Sequence, residues 1–474
     1  MKILLSIIKQ FFRILFYPFR LYYNYHVKMC WTKENLLHRD NVFVTLLVFV
    51  MFASIGWLAS YVKILDPLGD AFADVELTDV AFSRMNKNES FRLQFSEDGS
   101  PVVMQSPDVV IINVGNAGNV PRGAMSGLVE IINGMGPKVI GVDAFFREPK
   151  DPFQDSLLAV ALAKVDNLVL VSEGRNYDNE TNTVDSLVYS HPMFLKRAHT
   201  GCATMDIKSK SGEHHTEVLR MFTPFFNVKK EQRVEPFFAT KICELYDSTS
   251  LERLMKRNRA SERINYFGNI YIPFHYEKYG YLANYTPLSN KQHYLAFDYP
   301  DVFNGLVDTF MVKGKIVLFG FLGDPLYKAM GEDKFYTPLN NKYIGTRDRD
   351  MFGVVTYANI ISMILEGNYI DETPNWLVHL LGVFAVWLTF VNFRPLYNSY
   401  KIWYDGVSKI LSFGYTLFIL LLIGLIFEYT NFEFRFGALY FGCILLAGDF
   451  LEIYYGVIKN VYRKFFSKNI EEYE

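Results

Sequence analysis

Four stretches of apolar residues, one near the N-terminus and three near the C-terminus, constrain this 474-residue chain more than any other feature. The first, at 42–62, has 21 residues without a formal charge, which is enough to cross a hydrocarbon core of about 30 Å. The other three lie at 376–393, 410–427 and 436–457. We therefore predict four transmembrane helices. The segment 63–375, about 310 residues of mixed polarity, is long enough to fold as a domain of its own.

The basic residues predict the orientation of these helices. Segment 1–41 carries seven Lys or Arg residues against two acidic ones, and the linker 394–409 and the tail 458–474 are also basic. The opposite short loop, 428–435, has two Glu and one Arg. Lys and Arg accumulate in short cytoplasmic loops. We therefore expect both termini in the cytoplasm and the domain at 63–375 outside it.

The N-terminal residues have a separate pattern. Ser6, Lys9, Gln10 and Arg13 recur at helical spacing and form one polar stripe on an otherwise apolar segment. This pattern favours an amphipathic helix lying on the inner leaflet of the bilayer. A cleaved signal segment or an inserted helix is the alternative.

Composition excludes several classes of protein. A net charge of −2 and a pI near 6.5 do not indicate the excess of basic residues that is typical of nucleic-acid-binding proteins, so we expect no nucleic acid as a partner. Four cysteines without CxxC or Cys/His spacing predict neither a disulfide scaffold nor a zinc site, and no metal or cofactor is expected. Cys202 and Cys243 both fall in the outer domain, where they either form a disulfide or remain two free thiols.

The outer domain begins with a strand, helix, strand pattern of the kind that forms a parallel crossover unit. Further helices and a buried strand follow, and alternating residues within 173–305 predict antiparallel strands with one solvated face. We therefore predict a three-layer α/β domain with a mostly parallel sheet and an antiparallel part. The predicted elements are strands 108–114, 138–146, 167–172 and 314–320 and helices 122–134, 155–165, 234–247 and 353–368.

Asp143, close to the end of the apolar run 138–146, is the first candidate site residue. Ligands gather beyond the carboxyl ends of parallel strands, which is where Asp143 would lie. It could instead satisfy backbone N–H groups of the next loop, or pair with Arg122 as a clamp between helix and strand. A catalytic role lacks support because no nucleophile or metal motif accompanies it.

The loop after strand 314–320 contributes two further candidates, Asp333 and Thr337, which would either contact a ligand or form an ordinary turn stiffened by proline. We expect structural roles for Pro121 at the entry of a helix and for Gly141 and Gly320 within strands.

Two carboxylates stand out in the fourth predicted span. Asp449 and Glu452 lie on one helix face, and charges at that depth are costly. A proton or ion path is one interpretation. An ion pair between Glu452 and Arg394, at the inner end of the second span, is the other, while Asp449 has no obvious partner.

Several segments in this order resemble the second type of CHASE domain, an extracellular sensory domain of bacterial cyclases and kinases. They include DVVIINV, Pro121-Arg122, GPKVIGVDAFFREP, DSLLAVAL, INYFG, GKIVLFG, Thr337-Pro338 and GVVTYANIISMIL, together with one span before the domain and three after it. VGNAGNVPR replaces the Asp and the WP-type turn usual in the family. The family commonly continues into a cytoplasmic cyclase or kinase, and after 457 we expect no room for such a domain.

The resemblance implies a protein of the bacterial inner membrane with a periplasmic sensory domain and no enzymatic activity of its own. We expect an unknown extracytoplasmic ligand, a protein partner in the membrane or cytoplasm, and a possible homo-oligomer. A structural or assembly role in a membrane complex is the alternative, and an envelope enzyme is the least supported. 

Overall fold

A computed structural model describes the chain over 30–59, 93–95, 101–103, 108–115, 120–178, 181–205, 218–271, 292–323, 333–340, 349–399, 401–434 and 436–461. The chain divides into two compact units. One combines Met1–Gly69 with Glu372–Glu474, and the other is Asp70–Asp371, close to the predicted outer domain at 63–375. The predicted amphipathic helix around Ser6 to Arg13 lies outside the described residues.

The helices fall into two groups that follow this division. Among the described residues, the long apolar helices belong to the first unit, which also has three short ones, and the helices of the outer unit, Asp70–Asp371, have at most 14 residues. They are α1 Lys33–Leu36, α2 Arg39–Ala59, α3 Arg122–Gly134, α4 Pro152–Ala163, α5 Phe238–Tyr246, α6 Ser248–Arg257, α7 Tyr299–Phe303, α8 Thr309–Val312, α9 Gly353–Glu366, α10 Asn375–Ser399, α11 Tyr404–Thr430, α12 Ala438–Leu445 and α13 Ala447–Ile453.

The strands belong mainly to the outer unit. They are β1 Leu93–Phe95, β2 Pro101–Val103, β3 Val109–Asn113, β4 Val139–Val142, β5 Leu168–Arg175, β6 Thr183–Val184, β7 Ser186–Val188, β8 His199–Cys202, β9 Met221–Phe222, β10 Phe225–Val228, β11 Arg233–Pro236, β12 Glu262–Arg263, β13 Asn269–Tyr271, β14 Gln292–Asp298, β15 Ile316–Gly320, β16 Lys334–Phe335, β17 Met351–Phe352, β18 Asp371–Glu372 and β19 Phe432–Glu433.

The central sheet has the order β13-β14-β3-β15-β4-β5, and both β8 and β7 pair with β5. Every one of these pairings is parallel except that of β7 with β5, and short antiparallel pairs lie outside the sheet. The predicted mixed α/β domain with a parallel and an antiparallel part is thus confirmed.

Helices cover both faces of the sheet. On one face α3, α4, α7 and α8 share a hydrophobic core with alternate residues of the strands, such as Val110 and Ile112 of β3 and Val317 and Phe319 of β15. On the other face, α5 and α9 pack against the strands. All five residues of β3 are buried, as are all five of β15. Burial on both faces explains why these strands are continuous apolar runs.

Glycines allow the helices of the second face to approach the sheet closely. A Cβ at Gly320 would lie 2.6 Å from the Cβ of Val354 in α9, and one at Gly141 would lie 2.7 Å from Ile242 Cδ1 in α5. Both separations are far below van der Waals contact. The two glycines for which structural roles were predicted therefore lie where only a hydrogen fits.

Most predicted elements match the structure, but the middle of the outer unit differs. β14 is a central strand of the sheet and was not predicted, because QHYLAFD alternates weakly between polar and apolar residues. The predicted helix 234–247 begins only at Phe238, since residues 233–236 form β11 instead. A helix not predicted from the sequence, α6, follows at once.

Among the residues that the structure describes, three helices of the first unit are long and apolar enough to cross a membrane: Lys33–Ser54, Asn375–Ser399 and Tyr404–Thr430. The fourth predicted span, 436–457, is instead a pair of helices, Leu439–Leu445 and Ala447–Val461, bent by 62° at a short break. A fourth straight transmembrane helix is therefore not confirmed. Near the break, the Tyr404 hydroxyl donates a hydrogen bond to the carbonyl of Gly448, at 3.0 Å.

The charges of this unit pair differently from the prediction. Arg394 donates a hydrogen bond to Asn35 Oδ1 at 2.9 Å, and Glu452 is exposed, so the predicted Arg394–Glu452 pair is wrong. Asp449 lies 3.9 Å from the ammonium of Lys409, on a neighbouring helix. The carboxylate of Asp40 accepts hydrogen bonds from three side chains near the end of the last helix. These donors are the Tyr454 hydroxyl at 3.0 Å, the Tyr455 hydroxyl at 2.8 Å and the Lys459 ammonium at 2.6 Å.

Replacing Gly320 by Ala should destabilise the outer unit. The new Cβ would force α9 away from the sheet, and overpacking of this kind costs about 1–3 kcal/mol. Faster hydrogen exchange at the amides of β15, measured by mass spectrometry on the full-length protein in detergent, would report the loss. Gly134→Ala is the control, because its added Cβ would meet no atom within 4 Å apart from its chain neighbours and the backbone of its own helix. Equal exchange in the two variants would contradict the close packing.

Candidate functional site

The carboxyl ends of β3, β15 and β4 meet at one edge of the sheet, and Asn113 organises this edge. Its side-chain amide donates to Asp298 Oδ1 and to the Gly323 carbonyl, both at 2.9 Å. Its side-chain oxygen accepts from the N–H groups of Gly115, at 3.1 Å, and Leu322, at 2.8 Å. Asn113 is buried, so these bonds hold together the loops that leave three neighbouring strands.

Asp143 follows β4 at this edge, as predicted. Its backbone N–H donates to the Phe319 carbonyl at 2.8 Å, which extends the pairing with β15. The side chain is half-buried, and no described residue forms a hydrogen bond or ion pair with its carboxylate. Loss of hydration, and then the negative charge of Asp333, raise the pKa of Asp143 to about 8.

Asp333 brings a second carboxylate to the same region. Its φ of 56° is left-handed, a conformation that Asp adopts more readily than most residues. The backbone carbonyl accepts from the Gly353 N–H at 3.1 Å, and a Cβ at Gly353 would lie 3.3 Å from Asp333 Oδ1. The carboxylate therefore lies against the first residue of α9, where the helix dipole favours a negative charge. Loss of hydration nevertheless raises its pKa to about 6.

Tyr357, in the second turn of α9, lies close enough to both carboxyl groups for their charges to act on its phenol. Its hydroxyl donates to the Ala203 carbonyl at 3.0 Å, and its ring packs against the rings of Phe237 and Phe238. Burial, together with the charges of Asp143 and Asp333, raises the pKa of the phenol well above its ordinary value. The hydroxyl therefore stays protonated. Tyr357 was not singled out in the sequence, where it appears as one more residue of an apolar helix.

Arg122 does not pair with Asp143, so the predicted clamp is wrong. The guanidinium of Arg122 instead forms an ion pair with Asp155 of α4 and donates to the carbonyl of Glu148. Its planar group also lies over the ring of Phe194, 5.2 Å from the centroid. Pro121 immediately precedes α3 with a φ of −57°, the value that a proline ring imposes.

Asp155 is the residue that sequence reasoning missed. It is fully buried in the first turn of α4, and it also accepts from the N–H groups of Lys150, at 2.7 Å, and Asp151, at 3.1 Å. Burial opposes its ionisation, but the guanidinium of Arg122 and the two backbone donors outweigh that and hold its pKa below the ordinary value. One feature of the sequence could have identified it. Asp155 is the polar first residue of DSLLAVAL, and its place in the first turn of the helix puts a carboxylate near the helix N-terminus, where a negative charge is favourable.

Thr337 is part of a buried turn. Its N–H donates to Asp350 Oδ1 at 2.8 Å and its hydroxyl donates to Asp350 Oδ2 at 2.5 Å, while the Leu339 N–H donates to the same hydroxyl at 3.3 Å. Burial raises the pKa of Asp350 to about 6, although these bonds favour its ionised form. Of the four predicted ligand contacts, the structure thus brings Asp143 and Asp333 to one region and engages Arg122 and Thr337 with other acids.

The cysteines and the potential metal ligands add no chemistry to this edge. Cys202 and Cys243 are buried free thiols, so the predicted disulfide alternative is not realised. Burial raises the pKa of both thiols, which keeps them protonated. In the part of the chain that the structure describes, no group of three or more His, Cys, Asp or Glu residues could hold a metal ion.

A family model, the CHASE2 domain, matches residues 61–394, which is more than half of the chain. The chain belongs to the CHASE2 domain family. The match covers the whole sheet, Asp143, Asp333 and α9, and it confirms the resemblance drawn from the sequence. Comparison with curated proteins found no match, and comparison with solved structures found none either. CHASE2 is a sensory domain, and membership suggests a sensor role; the apolar helices fit a membrane protein.

Removing one member of the Arg122–Asp155 pair should strongly destabilise the CHASE2 domain. Arg122→Ala leaves a buried carboxylate without its cation, which typically costs about 3–5 kcal/mol. Asp155→Asn should cost a similar amount. The double variant Arg122→Met/Asp155→Leu should lose less than the sum of the single changes. Hydrogen exchange of the amides in β3 and β4 of the full-length protein would measure the losses.

Asp143→Asn is the matched comparison. Because the described residues give the Asp143 carboxylate no partner and loss of hydration opposes its ionisation, its neutral isostere should leave the same amides at least as protected as in the wild type. Destabilisation equal to that of Arg122→Ala would show that Asp143 has a structural role after all.

Asp143 should contribute stability to the CHASE2 domain that is lost as the pH rises from about 4 to about 8. Over this interval the folded state retains the proton on Asp143, whose pKa is about 8, while the unfolded chain releases it near the ordinary value of 3.8. The stabilisation is thus complete below pH 4 and is lost through pH 8. Asp333 contributes with the same sign at lower pH. Unfolding measured across this range should show a shallower slope above pH 6 in Asp143→Asn; an unchanged slope would contradict the raised pKa.

Proposed function

We propose that the chain is a sensor of the bacterial inner membrane whose CHASE2 domain lies outside the cytoplasm and binds a ligand at the carboxyl edge of its sheet. A conformational change caused by ligand binding would then be transmitted through the membrane helices to a partner protein. The domain itself would catalyse no reaction. The orientation rests on the Lys and Arg residues of 1–41 and 394–409, which are typical of cytoplasmic flanks.

The observation that carries this proposal is the pair Asp143 and Asp333. The two carboxylates lie close enough for one to raise the pKa of the other, and no cation among the described residues neutralises Asp143. Open parallel sheets place their ligands at this edge. A ligand with a cationic or hydrogen-bond-donating group would complement two carboxylates. Its binding would favour their ionised forms and release protons.

The same two carboxylates do not favour an enzyme. A catalytic pair needs one carboxyl group held protonated and the other held ionised beside the reacting atoms. The pKa values of about 8 for Asp143 and about 6 for Asp333 would meet the first part of this requirement near pH 7, but the sequence offers no nucleophile or metal motif to accompany the pair, so we do not propose catalysis. A structural or assembly role has one observation in its favour, an exposed apolar face on α4.

The proposal can be tested on full-length protein in sealed membrane vesicles of either orientation. The probe is the dialysable polar fraction of a cell-envelope extract, added from outside. We expect slower proteolysis of the CHASE2 domain by an added protease in right-side-out vesicles, because ligand binding stabilises the folded state. Asp143→Asn and Asp333→Asn should remove this protection, and Asp371→Asn, which lies away from the edge, should retain it. Protection that survives in both edge variants would refute a ligand site there.

A further inference from the structure

Arg394 is the only Lys, Arg, Asp or Glu residue of α10, a helix long and apolar enough to cross a membrane. It lies 19 residues after Asn375, the first residue of the helix, which corresponds to about 28 Å at 1.5 Å per residue. The hydrocarbon core of a bilayer is about 30 Å thick. If α10 crosses a membrane along its length, the guanidinium of Arg394 therefore lies at the level where the phosphate groups of the lipids begin.

Asn35 fixes the orientation of this guanidinium, and a proline in α10 explains its position. Pro395 has no N–H, so the carbonyl of Val391, four residues earlier, loses its helical donor. The side-chain amide of Asn35 donates to that carbonyl and to the carbonyl of Cys30, both at 2.8 Å. The side-chain oxygen of Asn35 accepts from Nη1 of Arg394 at 2.9 Å. Because Asn35 is buried and held at both ends of its amide, it holds the guanidinium in one place.

Arg394 forms no ion pair with a carboxylate among the residues that the structure describes. Its neighbour Tyr455 donates to Asp40 at 2.8 Å, but the carboxylate of Asp40 is already paired with the ammonium of Lys459 at 2.6 Å. The Nε–H of Arg394 is buried, and no described residue accepts a hydrogen bond from it. A charge at the edge of the hydrocarbon core is costly unless an opposite charge offsets its loss of hydration. The site is therefore suited to an anion.

Asn41 contributes a second buried polar atom without a partner among the described residues. Asn41 is fully buried, and its side-chain amide donates to the Asn35 carbonyl at 2.6 Å, while its Oδ1 accepts no hydrogen bond there. Arg394 and Asn41 thus both bond to Asn35, and one offers a donor and the other an acceptor. A lipid headgroup that has a hydroxyl beside its phosphate carries the matching acceptor and donor.

Exposed tryptophans mark the same end of the helices. Trp31, four residues before Asn35, is 58% exposed, and Trp403, directly before α11, is 72% exposed. Tryptophan is enriched at the interface between a membrane and water. The segment 1–41 has seven Lys or Arg residues against two acidic ones, and basic segments beside a membrane helix attract anionic lipids. Both observations favour a lipid headgroup as the source of the anion.

We propose that Arg394, oriented by Asn35, binds a phosphate group, which the headgroup of an anionic phospholipid supplies. A guanidinium binds phosphate through two parallel N–H groups, which gives both strength and a fixed geometry. Asn35 occupies Nη1, so the phosphate would accept on the Nε side of the fork. A free phosphate ion presents the same oxygens, and the experiment below distinguishes the two sources. This inference concerns the first unit alone and does not depend on the ligand site of the CHASE2 domain.

Native mass spectrometry of the full-length protein in detergent can test the site. The probes are phosphatidylglycerol, whose headgroup has a net negative charge and hydroxyls, and phosphatidylcholine, whose ammonium neutralises its phosphate. We expect the wild type to retain phosphatidylglycerol in preference to phosphatidylcholine. Arg394→Gln should retain about tenfold less phosphatidylglycerol, because a hydrogen bond to a charged group is worth at least that factor. Lys409→Gln is the matched control and should retain as much as the wild type, because Lys409 of α11 is already paired with Asp405 at 2.6 Å.

A second measurement uses the wild type alone, so it does not depend on whether a variant folds. Hydrogen exchange of the amides in 391–399 should be slower with phosphatidylglycerol than with phosphatidylcholine, because a bound headgroup stabilises the end of α10. Arg394→Lys keeps the positive charge but loses the planar fork, so its lipid retention should lie between those of the wild type and Arg394→Gln. Equal retention in the wild type and Arg394→Gln, or equal exchange with the two lipids, would overturn the proposal.

Inorganic phosphate distinguishes the two sources of the phosphate group. Slower exchange in 391–399 with phosphatidylglycerol but not with inorganic phosphate would support a lipid headgroup. Slower exchange with inorganic phosphate alone, lost in Arg394→Gln, would support the phosphate site and assign it to the free ion. An acidic protein that copurifies with the wild type and not with Arg394→Gln, without any difference in lipid, would assign the charge to a protein contact and overturn the proposal. None of these measurements involves Asp143 or Asp333, so each outcome leaves the test of the sensor role separate.

Discussion

Burial of the parallel strands on both faces is the constraint on which the rest of the CHASE2 domain depends. β3 and β15, at the centre of the sheet, have no exposed residue, so helices must cover each side of them. The second face achieves this at unusually close range, with Gly141 and Gly320 presenting a hydrogen where any larger group would collide with α5 or α9. Because helices cover both faces, polar side chains of the sheet that could contact a ligand can lie only where the strands end.

The carboxyl edge shows what this constraint leaves available. Asn113 uses its amide to hold three loops, and Thr337 with Asp350 closes a turn. Arg122 and Asp155 join α3 to α4. Each of these polar groups has found partners within the domain. Asp143 differs, because none of the described residues satisfies its carboxylate, and this contrast separates a candidate binding residue from the structural polar groups around it.

The first unit, Met1–Gly69 with Glu372–Glu474, follows a different physical rule. Helices as apolar as these would need no polar contacts to stay in a bilayer, and several of their polar side chains form bonds between helices. Asp40 of α2 collects two tyrosine hydroxyls and a lysine from the end of the chain, and Tyr404 of α11 holds the carbonyl of Gly448 beside the bend in the last helices. The bonds to Asp40 join segments that are more than 400 residues apart in the sequence, and the bond between Tyr404 and Gly448 joins residues that are 44 apart.

The sequence by itself determined the features that local periodicity encodes. Apolar runs of sufficient length identified the three helices that are long and apolar enough to cross a membrane, but not the bend in the last helices. The strand and helix periods identified β3, α3, β4, β15 and α9 within a few residues, and the end of β4 identified Asp143. Tertiary structure alone decided which charges meet. Arg122 lies 21 residues from Asp143 and 33 from Asp155, and no local pattern distinguishes these two acids. The same reason applies to Asp40 as the acceptor of the last helix, to β14 as an interior strand and to Tyr357 near the two carboxyl groups. Side-chain partners depend on how distant helices and strands assemble, and a window of neighbouring residues carries no information about that order.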